Sequence, residues 1–434
     1  MSLWIAEHGR IYRGTHNEII EGGNLQLASD DFDSVLSLLE DNEQSNLEPI
    51  LKYSRSNGRD VLTVQQYVGV VRTESGCQIE ILPKTAKQTT ADQARQLLVR
   101  MLVELRNSPF KPGVLANLDA HKVPLYELLM RQFLEHVGDI VRRGIARSYV
   151  DQQDNLRFIR GKLVLGEHIK RNITDKSNVY CEFDEFEMDR PINRLIKGAL
   201  EIVSRNSRDS TNRQHCREFL FWFDRVRATQ DPSGDFRAIH HDRLIQHYQP
   251  AMPTCRLILQ GLNPLTKQGA NRTQSMLFPM NKVFEDYVSA KLRTQFKKWT
   301  VKSQAQSHSL VQNHVGSRIF QLKPDLAFKQ GNRNLIGDTK WKLLNQDDRK
   351  GNYQISQADV YQLFAYAKKY LADQKRKEVL LIYPRTDRFD KPLEPFWFQE
   401  SDEVLLVVPY DLEQDSLITA PHSMLFEDDY PTGG

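Results

Sequence analysis

Short apolar runs rich in β-branched residues open the chain. Val61-Leu62-Thr63-Val64 and Tyr67-Val68-Gly69-Val70-Val71 read as strands, and Gln78-Ile79-Glu80-Ile81-Leu82 alternates with the period of two that marks a strand with one buried face. Ser75-Gly76 supplies a turn and Pro83 a stop. One helix is expected inside this region, over residues 32–39 behind Asp30-Asp31. From about residue 91 the period lengthens. Ala94, Leu97, Leu98, Met101, Leu102 and Leu105 recur at helical spacing, as do Leu128, Leu129, Phe133, Val137 and Ile140 within 124–143. A third helix is expected from Arg190-Pro191 and a fourth over 217–227, its aromatics read as core. The polar stretch 264–275 reads as a linker, and 426–434 as a disordered acidic tail. The pattern therefore predicts an α+β multidomain chain. It has a β-rich N-terminal module (1–90), a mainly helical middle region (91–263) and a C-terminal α/β domain (264–434).

That last domain has the densest pattern. Met280, Val283, Phe284, Tyr287 and Val288 mark a helix. Lys323-Pro324-Asp325-Leu326-Ala327-Phe328 and Leu335-Ile336-Gly337-Asp338-Thr339-Lys340 read as two strands, joined by a tight turn at Gly331-Asn332. A helix follows over 356–370, then a buried strand, Val379-Leu380-Leu381-Ile382-Tyr383.

Composition narrows the possibilities without choosing among them. The chain has 434 residues, enough for several cores, with 40% hydrophobic and 26% charged residues and a net charge of +3. No apolar run approaches membrane-spanning length, and the first residues lack the apolar core of a signal peptide, so no membrane partner and a cytoplasmic location are expected. Cys77, Cys181, Cys216 and Cys255 are scattered and read as reduced. His240, His241 and His247 have poor spacing for a metal. No Walker A sequence exists: Gly161-Lys162 is followed by Leu163 and lacks the upstream glycine, so this chain is expected to bind no nucleotide. Two basic segments, Arg157 to Lys162 with Lys170-Arg171, and Arg293 with Lys297-Lys298, could each track a phosphate backbone or be a solvated face.

The candidate chemistry lies on the two-strand hairpin. Acid-x-lysine also occurs at Asp348-Arg349-Lys350 and Asp373-Gln374-Lys375, but both sit in polar surroundings that suit surface charge. Asp338-Thr339-Lys340 instead ends an apolar strand and has Asp325 on the strand before it. Alternation puts Asp338 and Lys340 on one face and turns Thr339 away. Two carboxylates beside an ammonium suit a divalent cation and an attacking water at a phosphodiester.

Helix, strand, strand, helix, strand with these residues resembles the PD-(D/E)xK restriction-endonuclease-like core, and Gln362-x-x-x-Tyr366 resembles the extra motif of its RecB-like branch. The resemblance implies Mg2+, with Mn2+ able to substitute. Asp325, Asp338 and the Thr339 backbone carbonyl would be ligands, and Glu285 a further acid facing the metal. Lys340 would orient and help deprotonate the water, and Gln362 and Tyr366 would position the site. Tyr67-Val68-Gly69-Val70, Ile79-Glu80-Ile81-Leu82-Pro83-Lys84, Arg160-Gly161-Lys162-Leu163, residues 185–194 and Phe278-Pro279-Met280-Asn281 extend the likeness to the McrC family, over about 60 to 370. What that implies is the endonuclease subunit of the McrBC modification-dependent restriction system. Its partner would be an AAA+ GTPase ring of McrB type, docked through the N-terminal part, and its substrate methylated double-stranded DNA. A non-catalytic activator of an NTPase ring and a stand-alone repair nuclease are the competing expectations.

Overall fold

A computed structural model describes residues 3–39, 49–84, 90–105, 108, 110, 123–174, 176–239, 243–259, 274–305, 308–419 and 423. His240, His241, most of the expected linker and the acidic tail lie outside them. The protein is α+β. It divides into two compact units, one comprising Met1–Leu125, Thr266–Thr273 and Leu277–Gly434, the other Tyr126–Leu265 and Gln274–Met276. Among the described residues no helix is long and apolar enough to cross a membrane.

In the first unit, β1 (Leu3–Ala6), β2 (Arg10–Gly14), β3 (Glu18–Ile20), β4 (Asn24–Ala28), α1 (Ser29–Leu36), β5 (Leu51–Ser56), β6 (Arg59–Val64), β7 (Tyr67–Arg72) and β8 (Gln78–Leu82) form two sheets. Strands 3-4-2-6-5 make one; β1 pairs in parallel with β8, and β8 antiparallel with β7, in the other. Helix α1 begins earlier than expected, with Asp30 and Asp31 in its first turn, where carboxylates complement the helix dipole. The alternation read along β8 does not become an exposed face, because every residue of β8 is buried. Glu80 is the reason. It receives two bonds on Oε2 from Arg95, at 3.0 Å from Nε and 2.6 Å from Nη2, and one on Oε1 from the Leu125 backbone N–H at 2.7 Å. Arg95 comes from α2 (Ala91–Val103), which Thr90 and Gln93 open with reciprocal side-chain-to-backbone bonds. Both charges are almost wholly buried, and Glu80 depends on Arg95 for its solvation, while Arg95 also bonds Asp92 Oδ1 through Nη1 at 2.8 Å.

The second unit holds α3 (Leu125–Arg143, from Tyr126 on), β9 (Ser148–Leu156), β10 (Lys162–Leu163), α4 (Leu165–Arg171), β11 (Val179–Glu187), α5 (Pro191–Asn206), α6 (Ser210–Trp222), α7 (Pro232–Arg237) and α8 (Met252–Leu259). Its described elements are mainly helices, and β10, β11 and β9 add an antiparallel sheet that the pattern did not announce, with nine residue pairs along β11–β9. One expectation is corrected. The fourth helix ends at Trp222 rather than 227, and Phe221 and Trp222 are exposed, not core. The sheet is held by Tyr149 stacked on Phe186 at 4.8 Å and by guanidinium groups over rings, Arg160 on Phe183 and Arg171 on Tyr180. Two cations of the first basic segment are thus already engaged. Gly161 there has φ +70°, and a Cβ would lie 2.3 Å from the Glu182 carbonyl, so only glycine fits. Residues 185–194 also have a packing role. Asn193 is fully buried and donates to the Ala146 and Met188 carbonyls at 2.8 and 2.7 Å. Asp189 is half-buried yet held at about 2, because bonds from Arg194 and Arg227 outweigh its loss of solvent. His247 bonds the Gly144 carbonyl.

The chain then returns to the first unit through β12 (Gln274–Pro279), which joins the β7 edge of the second sheet, and α9 (Met280–Gln295). There follow β13 (Thr300–Ser303), the pair β14 (His308–His314) and β15 (Ser317–Leu322), β16 (Leu326–Gln330), β17 (Arg333–Thr339), α10 (Gln357–Tyr370), β18 (Lys377–Pro384), β19 (Phe396–Trp397), β20 (Glu403–Asp411) and β21 (Ser416–Leu417). The main sheet has the order 13-16-17-18-20-19 and is mixed: β16 runs antiparallel to β17, while β17, β18 and β20 are parallel. Strand β20 is buried throughout, and β17 and β18 are buried except at their first residues, as crossover-covered strands are. Helix α10 makes the β17-to-β18 crossover and packs Leu363, Tyr366 and Ala367 against that core.

Candidate active site

The β16–β17 hairpin builds the site. Gln330 pairs with Arg333, leaving the two-residue turn Gly331-Asn332, with Gly331 at φ +57°. From there the register runs to Leu326 opposite Gly337. One step further, Asp325 comes opposite Asp338. Asp325 lies just before β16 rather than on it, and Asp338 is within β17 and buried. Asp325 Oδ2 accepts bonds from the Thr339 backbone N–H and hydroxyl, both at 2.8 Å. Lys340 places its ammonium 2.5 Å from Asp338 Oδ2 and 3.9 Å from Asp359 Oδ1.

Other elements close the cluster. Helix α9 buries Glu285, whose Oε1 accepts bonds from Lys282 at 2.8 Å and from Gln304 Nε2 at 3.1 Å. The Gln304 backbone N–H bonds the Asp325 carbonyl at 2.9 Å, so Gln304 ties the two acids together. From α10, Tyr366 donates its hydroxyl to the Lys323 carbonyl at 3.1 Å and receives a bond from Gln362 at 2.6 Å. Tyr366 is therefore a core residue whose one polar atom fixes the lead-in to Asp325. Asp359 and Gln304 escape a motif-based reading. Asp359 has a signal all the same, lying three and seven residues before Gln362 and Tyr366 on one helix face.

The acids resist being charged together. Burial lifts the Asp325 carboxyl to about 6, with Asp338 pushing the same way against the Thr339 bonds and Lys340. Burial also raises Asp338, opposed by Lys340 and reinforced by Asp359 and Glu285. Glu285 is raised by burial and by Asp325. Burial works against the Lys340 ammonium, but Asp338 and the other acids more than offset it and hold the proton on.

A hard divalent cation would relieve this repulsion. Among the described residues no three acids, histidines or cysteines stand as a preformed metal cage. The donor set fits nonetheless: Asp325 and Asp338 converge, and a main-chain oxygen faces them. The Lys340 N–H bonds Ile382 O in β18 at 2.9 Å. The Thr339 carbonyl belongs to the same trans peptide, so it points the opposite way, toward Asp325.

The N-terminal module reaches the residue just beyond Lys340. Glu7 Oε2 accepts bonds from the Trp341 indole at 2.9 Å and the Lys84 N–H at 3.0 Å, while the Met280 N–H that opens α9 bonds Gln66 O at 2.9 Å. Glu7 Oε1 is buried without a hydrogen-bond partner. Burial raises this carboxyl from 4.5 to about 7. An unfolded chain releases the proton near 4.5, so the stability held by neutral Glu7 is full below that and is lost as pH rises through about 7. Glu7→Gln keeps the acceptor oxygen and cannot ionise. Its melting temperature is expected to fall less than the wild type's between pH 5 and pH 8, and an equal fall in thermal melts would contradict the assignment.

Comparison with known proteins adds the context. The family model described as McrBC 5-methylcytosine restriction system component matches residues 62–384. No curated protein matches the sequence. Among solved structures, a chain of the refined half-complex from the tetradecameric assembly of Thermococcus gammatolerans McrB AAA+ hexamers with bound McrC superposes with a TM-score of 0.68. That match has 18% identity and covers 95% of each chain. A chain of the Thermococcus gammatolerans McrBC complex determined by cryo-EM gives a TM-score of 0.51 and 20% identity, over 71% of this chain and 90% of that one. At these identities the likeness is one of fold.

Proposed function

Because the chain belongs to the McrBC 5-methylcytosine restriction system component family, we propose that it is the endonuclease subunit of such a system. It hydrolyses DNA phosphodiesters when assembled with an AAA+ GTPase ring of McrB type, which it also stimulates. The observation that carries this reading is the convergence of Asp325, Asp338 and Lys340 at the end of one buried strand. The α9, β16–β17, α10, β18 arrangement around them agrees with a PD-(D/E)xK nuclease domain. The solved relatives named above are complexes of McrB and McrC, which supports a ring partner.

Asp325, Asp338 and the Thr339 carbonyl would hold Mg2+, with Glu285 beside them. When bound, the ion would polarise the phosphate and make water a stronger acid. Lys340, kept protonated by Asp338, is a hydrogen-bond donor that orients the water and steadies charge on the phosphate. Thr339 holds the Asp325 carboxylate, and Tyr366 with Gln362 holds the loop that carries it. An activator without catalysis would gain nothing from acids buried at one another's expense. The test is cleavage of methylated duplex by the full chain with its partner ring, GTP and Mg2+. Cutting that needs every component supports the reading. Cutting by the chain alone points to a stand-alone nuclease, and GTPase stimulation without cutting to an activator.

A further inference from the structure

Between Asp286 and Asp325 the sequence has no acidic residue and seven lysines and arginines. The middle of that stretch is the β14–β15 hairpin, which pairs with no other strand among the described residues. Arg318 on it and Lys323 just after it are exposed, as are Lys297, Lys298 and Lys302 just upstream. Its apolar residues point outward too. Val315 at the tip is 91% exposed and Phe320 is 68% exposed. Both have left-handed backbones, φ +48° and +55°, a conformation that a β-branched residue such as Val315 adopts only at a cost.

The hairpin's base, in contrast, is tied down. The Tyr370 hydroxyl lies 3.0 Å from the Ala305 carbonyl and 2.9 Å from the Leu322 carbonyl, one on each side of the hairpin. His308 packs its ring on Tyr370 at 4.4 Å. Tyr366, one turn back on α10, holds Lys323, and the chain then enters Asp325. A fixed base beside the acids, with Lys323 next to it, and an exposed far end that carries Arg318 describe an arm set at a constant distance from the site.

We propose that this hairpin lies along duplex DNA and presents the backbone to the acids; the inference rests on the nuclease reading. A polyanion complements a segment free of carboxylates, and a two-stranded ribbon has the width a DNA groove admits. Arg318 and Lys323 would meet phosphates. Val315 and Phe320 would contact sugars and base edges.

The test is fluorescence anisotropy of the full chain on a labelled duplex in chelator, so that nothing is cut. Arg318→Glu is expected to weaken binding about tenfold and to lower the salt slope by about 1, with its melting temperature unchanged. Arg349→Glu, an equal charge change in an exposed loop elsewhere, should move neither. Binding by Arg318→Glu that matches Arg349→Glu overturns the proposal, as does a wild-type chain that binds no duplex at low salt, or an Arg318→Glu chain that loses only the partner ring. The two readings fail separately: duplex binding that depends on Arg318 in a chain that does not cut with ring, GTP and Mg2+ keeps the hairpin and sinks the nuclease reading, and cutting by a chain whose duplex binding ignores Arg318 does the reverse.

Discussion

On the nuclease reading, Asp338→Asn is expected to fold normally and to stop DNA hydrolysis. The expected loss is at least about a thousandfold in rate, or ~4 kcal/mol of transition-state stabilisation. Asparagine keeps the volume of the side chain inside β17 and removes the one charge that both a divalent cation and Lys340 engage. The fold should not suffer. Burial already disfavours the carboxylate, so a neutral amide relieves a cost rather than adding one. The measurement has two parts: cleavage of methylated duplex with the partner ring, GTP and Mg2+, and a thermal melt of the metal-free chain. Full cutting by the variant would sink the assignment of Asp338. Lost cutting with a collapsed melting temperature would make the residue structural.

Glu80→Ala is expected to destabilise the first unit by about 3–5 kcal/mol, a large share of what holds a domain together. Arg95 would be left charged and almost wholly buried with only the exposed Asp92 beside it, and the Leu125 N–H would lose its acceptor. Arg95→Ala should cost a similar amount through the stranded carboxylate. The double change to apolar residues of matching size should recover much of it, because a buried pair that is removed whole leaves no lone charge. Urea denaturation of the three variants decides. A loss under about 1 kcal/mol for Glu80→Ala would mean that the pair is solvated in a way its burial does not suggest.

The sequence announces features with a local cause and hides those that depend on distant partners. Gly331-Asn332 forces a tight turn, so the β16–β17 hairpin, and with it the pairing of Asp325 with Asp338, follows from spacing. The helical period of α10 and the apolar runs of β7, β17 and β18 are equally direct. Strand β9 is Ser148-Tyr149-Val150-Asp151-Gln152-Gln153-Asp154-Asn155-Leu156 and shows no apolar alternation; its sheet is held by pairing with β11 and by rings under guanidinium groups, which hydropathy does not register. Glu80 reads as the polar face of β8 until Arg95 covers it. Glu7 gives no sign of its role, because its partner Trp341 lies 334 positions away. Gln304 is one glutamine among many until Glu285 and Asp325 stand on either side of it.

The bond from Glu7 to Trp341 has a mechanical meaning. Trp341 is the neighbour of Lys340, and Met280, held by Gln66, opens the helix that carries Glu285. A pull on the N-terminal module would therefore reach the cluster of acids through two hydrogen bonds, Trp341 to Glu7 and Met280 to Gln66. On the nuclease reading, a partner that grips that module would turn a lever whose short end is this cluster, where a displacement of a fraction of an ångström is enough to spoil or complete the geometry a hydrolytic water needs.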